Sequence, residues 1–493
     1  MTHRTTSFWT LAVAALFILI VPGTLLATET EPAFIISEVR YQMDGRTRQW
    51  IAEDKIDLRE GLTFASQEEL DAFLARQTQL LVNERALQEA EIAVDYRPAE
   101  DGEPQGVVVT VITEDTWNFF VLPYFRYDSN TGLLLSLRGR DFNFFGTLTE
   151  LAVDLDYERT EDEENLYTIA TKFDVPFQMF DRRWRLLWDQ SIEFEADELD
   201  VDTSLGLGYN FDMLGLGWEA IYRQSYRYDT DDDEGDTDWY TSRLSLGTAI
   251  DTPVFLPGFG VVTYNPELYT ETNYRPGGIS EEREGIITGY DQALEAGSYD
   301  WIGNYRNGQT IELSNDNGYN ITNDDWDIEL EGRINVFRSL WQRGPQGWPR
   351  AGVSASLNSF YLPTGADEDQ DDAAEEARGI LNDEMNGDLG VFLNLDAVLT
   401  VWTLEPIFEA QVGAFFDTAF VRDTRGDFYP SSDFDQERDL RFGSGIEVVG
   451  FPLFARSLYI RGSLGFDLRK IAQGDSPLSG DVREIFIGLG HHY

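Results

Sequence analysis

The stretch Glu150-Leu151-Ala152-Val153-Asp154-Leu155-Asp156-Tyr157-Glu158 changes character at every second residue. In a β-strand the apolar set and the acidic set point to opposite faces, so one face suits hydrocarbon and the other suits water. Segments of this kind recur from Asn118 to Tyr493 and predict a closed all-β transmembrane barrel with an apolar exterior and a polar lumen. A second clear example sets Ile328, Leu330, Ile334 and Val336 against Asp327, Glu329, Glu331, Arg333 and Asn335.

The connections between the strand candidates alternate between short, mildly polar turns and longer loops rich in Asp and Glu. Short turns inside and longer loops outside are typical of outer-membrane barrels, and we expect 16 antiparallel strands. Between Phe255 and Pro363 four candidate strands occur where the alternation allows three, so Ser298–Ser314 is interpreted as partly a hairpin within a long outer loop. The short connections are Asp141–Thr147, Val175–Arg182, Asn210–Gly215, Pro253–Gly258, Trp402–Pro406 and Gly450–Ser457, and the long ones include Glu158–Asn165, Glu195–Thr203, Asp229–Asp238, Pro363–Asn386 and Arg422–Asp439.

The composition excludes several classes of function. The formal net charge of −52 argues against nucleic acid as a partner, because binding phosphate depends on Lys and Arg. The chain contains no Cys, and its only histidines are His3, His491 and His492, so a Ser-His-Asp hydrolase, a thiolate metal site and a histidine-based zinc enzyme are all improbable. We therefore expect no enzyme activity, no cofactor and no metal. The acidic run Asp229–Gly235 is interpreted as a solvated loop, with weak cation bridging to anionic lipid as the alternative.

The first 27 residues have the pattern of a secretory signal peptide. Phe8–Val21 is apolar, Pro22-Gly23 interrupts the run, and cleavage is expected after Ala27. An uncleaved anchor helix is the alternative interpretation. Either interpretation predicts export of the chain.

Residues 28–117 differ from the rest of the chain and predict a small α+β domain. Ile35–Met43 is strand-like, and Gln49–Leu58 carries a short amphipathic pattern that ends at Gly61. Ser66 and Glu69 form a capping box before a helix whose apolar residues include Leu70 and Leu81. Two further strands are expected at Ile92–Tyr96 and Val107–Ile112.

This order of strand, helix, helix, strand and strand resembles a POTRA domain, the periplasmic module of the BamA/TamA superfamily of outer-membrane proteins. The resemblance rests on Gly61, the Leu70–Leu81 helix and the closing strand Val107–Glu114. It implies one POTRA-like domain at residues 28–117 and a barrel at residues 118–493. It also implies that the domain receives unfolded polypeptides by adding them to a sheet edge.

The motif with the most specific resemblance is Ala377-Arg378-Gly379-Ile380, which is similar to the Val-Arg-Gly-Tyr/Phe loop of that superfamily. The resemblance implies that the loop folds back into the barrel and that Arg378 binds carboxylates and an aromatic ring on the wall. Strand parity places Asp396, Phe415 and Asp417 on the luminal face, where an arginine could pair with a carboxylate and stack on a ring. The alternative is that Arg378 is a solvated loop residue. The stretch Gly139–Gly146 also resembles the Asp/Asn-Phe-x-Gly turn that follows the second strand in the superfamily.

The chain end, with Phe486, Gly488 and the terminal Tyr493, resembles the signal by which barrel-assembly machinery recognises its clients. The resemblance implies an outer-membrane protein, with its N-terminal domain in the periplasm, that inserts or translocates polypeptides through a seam between Asn118–Asp128 and Glu484–Tyr493. The implied partners are outer-membrane lipids, unfolded polypeptide clients and other assembly or translocation subunits. The alternative function is a passive diffusion channel, or a structural surface barrel that has lost the assembly role.

Overall fold

The computed structural model has an N-terminal α+β domain followed by a β-barrel. The signal peptide expected at Met1–Ala27 and the terminal Tyr493 lie outside the described residues. These residues are 33–98, 104–128, 132–159, 165–195, 198–230, 237–280, 283–341, 350–364, 376–380, 385, 387–422, 439–454 and 458–489.

The N-terminal domain contains a four-stranded sheet in the order β2-β1-β4-β3. Strand β1 pairs in parallel with β4, and the outer pairs are antiparallel. This order agrees with the sequence-based expectation, except that the two-residue strand β2 lies between the helices. The elements are β1 (Phe34–Asp44), α1 (Gln49–Lys55), β2 (Thr63–Phe64), α2 (Gln67–Asn83), β3 (Leu87–Tyr96) and β4 (Gln105–Asp115).

Helix α2 begins at the expected cap and packs its apolar stripe on the sheet. The Ser66 hydroxyl accepts a hydrogen bond from the Glu69 amide, and the Glu69 carboxylate accepts one from the Ala65 amide. Leu70 and Leu81 are fully buried against the sheet. These contacts order the helix because capping satisfies amides that have no partner within the helix.

The remaining strands form a closed antiparallel barrel in which the first strand, β5, and the last, β23, are neighbours. The first and last strands are short, with 10 residues in β5 and 7 in β23, whereas β15 has 18. The segments are β5 (Phe119–Asp128), β6 (Gly132–Asp141), β7 (Leu151–Arg159), β8 (Asn165–Met179), β9 (Arg182–Glu195), β10 (Glu198–Met213), β11 (Leu216–Asp229), β12 (Asp238–Thr248), β13 (Ile250–Leu256), β14 (Gly260–Tyr274), β15 (Gly285–Ile302), β16 (Tyr305–Asn320), β17 (Asp325–Leu340), β18 (Ala351–Tyr361), β19 (Leu389–Leu404), β20 (Phe408–Arg422), β21 (Leu440–Pro452), β22 (Ile460–Asp467) and β23 (Arg483–Leu489).

Within the described residues the barrel has 18 strands, so the expectation of 16 was wrong. Segments β12 and β13 both pair with β14 and are separated only by Ala249, so they count as one strand. The difference arises after Phe255, where Ser298–Ser314 is the end of β15, a tight turn and the beginning of β16. Gly297 and Gly308 adopt positive φ angles of 92° and 148°, and such irregularities disturb the alternation that sequence reading relies on.

Side chains alternate between the two faces of the barrel as the opening stretch of sequence predicts. Leu155 and Leu330 are exposed on the outside, whereas Asp154 binds Arg140 on the luminal side. Strands also extend into stretches expected to be loops, because β9 and β10 cover most of Glu195–Thr203. Among the described residues, no helix combines the length and the apolar character needed to cross a bilayer.

The two rims of the barrel differ. We call the rim that contacts the N-terminal domain the inner rim and the opposite one the outer rim. Tight turns such as Leu214-Gly215 and Gly303-Asn304 lie at the inner rim, on the same side as the connection between β6 and β7. The segment that carries Arg378 belongs to the connection between β18 and β19, which starts from the outer rim.

Candidate functional site: a loop arginine inside the barrel

The outer-loop segment Glu376–Ile380 lies inside the barrel. Ala377, Arg378 and Ile380 are only 1%, 3% and 3% exposed. Ala377 and Ile380 belong to a small apolar cluster with Phe392 on β19 and Ala419 on β20. Burial of these apolar side chains favours the inward position of the loop, since each one would otherwise contact water.

Arg378 binds the two aspartates that strand parity placed in the lumen. Its Nε and Nη2 atoms donate to the two carboxylate oxygens of Asp417, both at 2.7 Å, and its backbone amide donates to Asp417 at 2.9 Å. Its Nη1 atom donates to Asp396 at 2.6 Å. This is the forked geometry in which guanidinium binds carboxylate most strongly.

The Phe415 ring completes the surroundings of the guanidinium. The Cζ atom of Arg378 lies 4.1 Å from the ring centroid, within the range of a cation–π contact. Phe415 is 3% exposed and Asp417 is fully buried. All four side chains named for this site by the sequence, Arg378, Asp396, Phe415 and Asp417, therefore meet in one buried cluster.

Two glycines of the barrel wall, Gly443 and Gly465, form the surface against which the loop backbone packs, and we call this surface the glycine floor. Gly379 has a φ angle of 82°, and a Cβ atom there would lie 2.7 Å from the Phe466 amide nitrogen. Across the contact, a Cβ at Gly443 would lie 1.8 Å from the Arg378 carbonyl oxygen, and one at Gly465 would lie 2.7 Å from the Gly379 Cα. A side chain at any of these positions would push the loop off the wall.

The cluster extends to residues that the sequence reasoning missed. Glu447 on β21 lies 3.8 Å from Arg378 and accepts a hydrogen bond from Arg461 on β22 at 2.9 Å. Glu484 on β23 accepts a hydrogen bond from the Gly379 amide. Applying the same strand parity to β21, β22 and β23 would have identified these residues as luminal.

The Gly139–Gly146 stretch lies at the inner rim, where it joins the barrel to the N-terminal domain. Asn143 is fully buried, and its side-chain amide donates to Thr47 and to Asp115 at 2.8 and 3.0 Å. Arg46 forms a forked pair with Asp141 at 2.8 and 3.1 Å. This hydrogen bonding raises the pKa of Arg46 above its ordinary value.

A second contact between the domain and the rim lies at the turn between β15 and β16. Arg85 donates to the Gly303 carbonyl and to the Asn304 side chain at 2.9 and 3.0 Å, and its guanidinium stacks on Trp301 at 4.4 Å. Asn83 donates to Asp300 at 3.0 Å. The domain therefore contacts the rim at β6 and at β15, which are far apart in the order of strands around the barrel.

The predicted C-terminal signal is only partly within the described residues. Phe486 lies on β23, with its ring centroid 6.0 Å from the Arg461 guanidinium carbon, and Gly488 pairs with Arg461 in the β22–β23 ladder. Both residues belong to the strand that carries Glu484.

The lumen beside strands β9 to β16 is open and acidic. A cavity of about 970 Å³ is lined there by carboxylates that include Glu219, Glu267, Asp291 and Asp316. Arg243 lies among them, 3.0 Å from Asp291. This wall is separate from the Arg378 cluster, which belongs to β19–β23.

Comparison with solved structures gives similar barrels at low sequence identity. CdiB from Acinetobacter baumannii is 12% identical, with a TM-score of 0.49 over 88% of this chain and 70% of that chain. CdiB from Escherichia coli is 12% identical, with a TM-score of 0.44 over 96% and 92%. BamA from Haemophilus ducreyi lacking POTRA domains 1-3 is 10% identical, with a TM-score of 0.39 over 93% and 85%.

No protein-family model matches the sequence, and no match was found among curated proteins. The distribution of apolar and charged side chains on the barrel indicates where the protein is located. Exposed apolar residues such as Leu205, Leu268 and Leu395 surround a lumen that contains the carboxylates and arginines described above. A closed antiparallel barrel with this distribution is an outer-membrane barrel.

Proposed function

We propose that this protein inserts or translocates polypeptides at the outer membrane, without covalent chemistry. The observation that carries the proposal is the outer-loop segment held inside the lumen by Arg378, next to the strands that close the barrel. In this role Arg378, Asp396, Phe415 and Asp417 act as a latch that keeps the loop in place while the barrel handles a client.

The N-terminal domain supplies the capture step in this mechanism. In the part of the chain that the structure describes, strand β3 is an edge of its sheet and pairs with β4. An extended client can add to such an edge through main-chain hydrogen bonds. Because the domain is bonded to the inner rim through Asn143 and Arg85, a client bound there would lie beside the barrel.

The seam between β5 and β23 supplies the release step. Their described parts have 10 and 7 residues, whereas those of β14 to β17 have 15 to 18. A shorter pair forms fewer backbone hydrogen bonds, so separating it costs less free energy than separating a longer one. Opening there would expose two strand edges on which a client could be templated.

Reconstitution tests the proposal. The purified protein would be inserted into phospholipid vesicles, and a urea-unfolded eight-stranded barrel added outside; folding of that barrel would be followed by its heat-modifiable migration. We expect faster folding than in empty vesicles and slower folding with Arg378→Ala than with wild type. Equal rates in empty vesicles and in vesicles containing the wild-type protein would overturn the proposed function.

The acidic cavity beside β9 to β16 favours a second candidate, a passive channel that selects cations. The carboxylates around Asp291 would attract cations into the lumen and repel anions. Planar-bilayer recording separates the two candidates. Steady, large, cation-selective openings in the absence of any polypeptide would favour the channel.

A further inference from the structure

Gly379 connects the outer loop to the last strand of the barrel. Its backbone amide donates a hydrogen bond to the Glu484 carboxylate on β23. The preceding residue, Arg378, binds Asp396 on β19 and Asp417 on β20. Arg378 and Gly379 therefore contact three strands of one wall, β19, β20 and β23. Of these, β23 forms one side of the seam with β5.

The glycine floor is what brings the loop backbone close enough to β23. At Gly465 on β22, a Cβ atom would lie 2.8 Å from the Gly379 amide nitrogen, the same nitrogen that donates to Glu484. The positive φ angle of Gly379 favours glycine at that position of the loop. No side chain at Gly465 or Gly379 separates the loop from the wall, so the amide reaches past β22 to β23.

Strand β23 is short, so a single additional hydrogen bond contributes appreciably to holding it in the barrel wall. It has 7 residues, and its described ladder is with β22, from the Ile460–Leu489 pair to the Phe466–Arg483 pair. Glu484 lies near the beginning of the strand and pairs with Gly465 in that ladder. A hydrogen bond to a carboxylate is stronger than one between neutral groups, so it adds substantially to what holds a strand this short.

We propose that Glu484 is a positioning residue that couples the position of the outer loop to the closure of the seam. While Gly379 is bonded to Glu484, β23 stays packed against β22; when the loop leaves the lumen, β23 loses that bond and the seam loosens. The proposal deepens the proposed function, since it identifies how the latch controls the strand on which a client would be templated. It requires that loss of the Glu484 carboxylate loosens the Glu376–Ile380 segment, and that loss of Arg378 loosens β23.

Amide hydrogen exchange on the full-length protein in lipid nanodiscs tests the coupling. In Glu484→Ala we expect exchange of the Glu376–Ile380 segment and of β23 to become roughly tenfold to a hundredfold faster, the equilibrium factor of one charge-assisted hydrogen bond. In Arg378→Ala we expect β23 to exchange faster as well, because the loop that carries Gly379 would leave the wall. Glu484→Gln keeps an oxygen acceptor and should be intermediate.

The matched control is Glu219→Ala, which removes a luminal carboxylate on β11 that accepts a hydrogen bond from Arg185 beside the separate acidic cavity, and which should leave β23 unchanged. If Glu484→Ala leaves the Glu376–Ile380 segment at the wild-type rate, or if Arg378→Ala leaves β23 at the wild-type rate, the coupling is disproved. Exchange is measured without any client, so its result is independent of the proposed function. Faster exchange together with unchanged folding of a client would support the coupling and count against the function.

Discussion

Arg378 and Asp417 are joined by three hydrogen bonds, two from the guanidinium and one from the arginine's own backbone amide. The side chain and the backbone of one loop residue thus converge on a single carboxylate that is fully buried. A charge buried to this extent depends on its partner, because removing either member leaves the other charge without compensation in a medium of low polarity. The loop and the wall are therefore stable in this arrangement only together.

Replacing Arg378 with alanine should release the loop. We expect the loss to cost about 3–5 kcal/mol of the free energy that holds the loop inside, since Asp396 and Asp417 would lose their cation. Arg378→Lys should fall between wild type and alanine because an ammonium group cannot reproduce the fork. Protease sensitivity of the loop around Gly379 measures the release.

Arg243 provides the matched control for Arg378→Ala. It also lies in the lumen, bonded to Asp291 and stacked 3.7 Å from the Tyr269 ring, but its side chain is 34% exposed. Ion pairs exposed to that extent contribute about 0–1 kcal/mol. If Arg243→Ala sensitised the loop as much as Arg378→Ala, the specific role of Arg378 would be refuted.

Adding a methyl group to the glycine floor should also displace the loop. Gly465→Ala places a Cβ 2.7 Å from the Gly379 Cα, a contact with backbone that a side-chain rotation cannot relieve. We expect faster proteolysis of the loop while the barrel remains heat-modifiable. Gly462→Ala on the same strand serves as the control because its nearest neighbour lies 3.8 Å away. Equal behaviour of the two variants would mean that the loop does not depend on this close approach.

Asn143 should matter more than Arg46 for the attachment of the N-terminal domain. Asn143→Ala removes two hydrogen bonds to Thr47 and Asp115 and a third from the Leu148 amide, all in a buried position, and should cost about 1–3 kcal/mol for each group left unsatisfied. Arg46→Ala should cost about 0–1 kcal/mol, since the Arg46 side chain is 53% exposed. Protease cleavage between Asp115 and Asn118 reports the release, and a larger effect for Arg46→Ala than for Asn143→Ala would contradict this ranking.

The other end of the domain gives a separate prediction. Arg85→Ala removes two hydrogen bonds to the β15–β16 turn and the stacking on Trp301. We expect faster amide exchange in α2 and in that turn, with the Asn143 contact unchanged, because the two contacts share no residues. Combined with Asn143→Ala, the two effects should add, and strong non-additivity would show that the two contacts form one unit.

The sequence by itself determined the barrel, its apolar and polar faces, and the parity of the Arg378 site. Period-two alternation is a local property of the chain, so Asp396, Phe415 and Asp417 could be assigned to the lumen without any knowledge of their neighbours. The same holds for α2, because its cap and apolar stripe lie within a few turns of each other.

Only the tertiary structure decided the number of strands, the glycine floor and the partner of Gly379. Gly297 and Gly308 interrupt the alternation, so the strands β15 and β16 are recognisable only from their pairing with neighbours. Glu484 lies 105 residues from Gly379, and no spacing rule connects them. They meet because the loop folds into the lumen against the wall that contains β22 and β23, where Gly443 and Gly465 leave room for a loop backbone. Contacts of this kind depend on distances in space between segments far apart in sequence, which local patterns of residues do not contain.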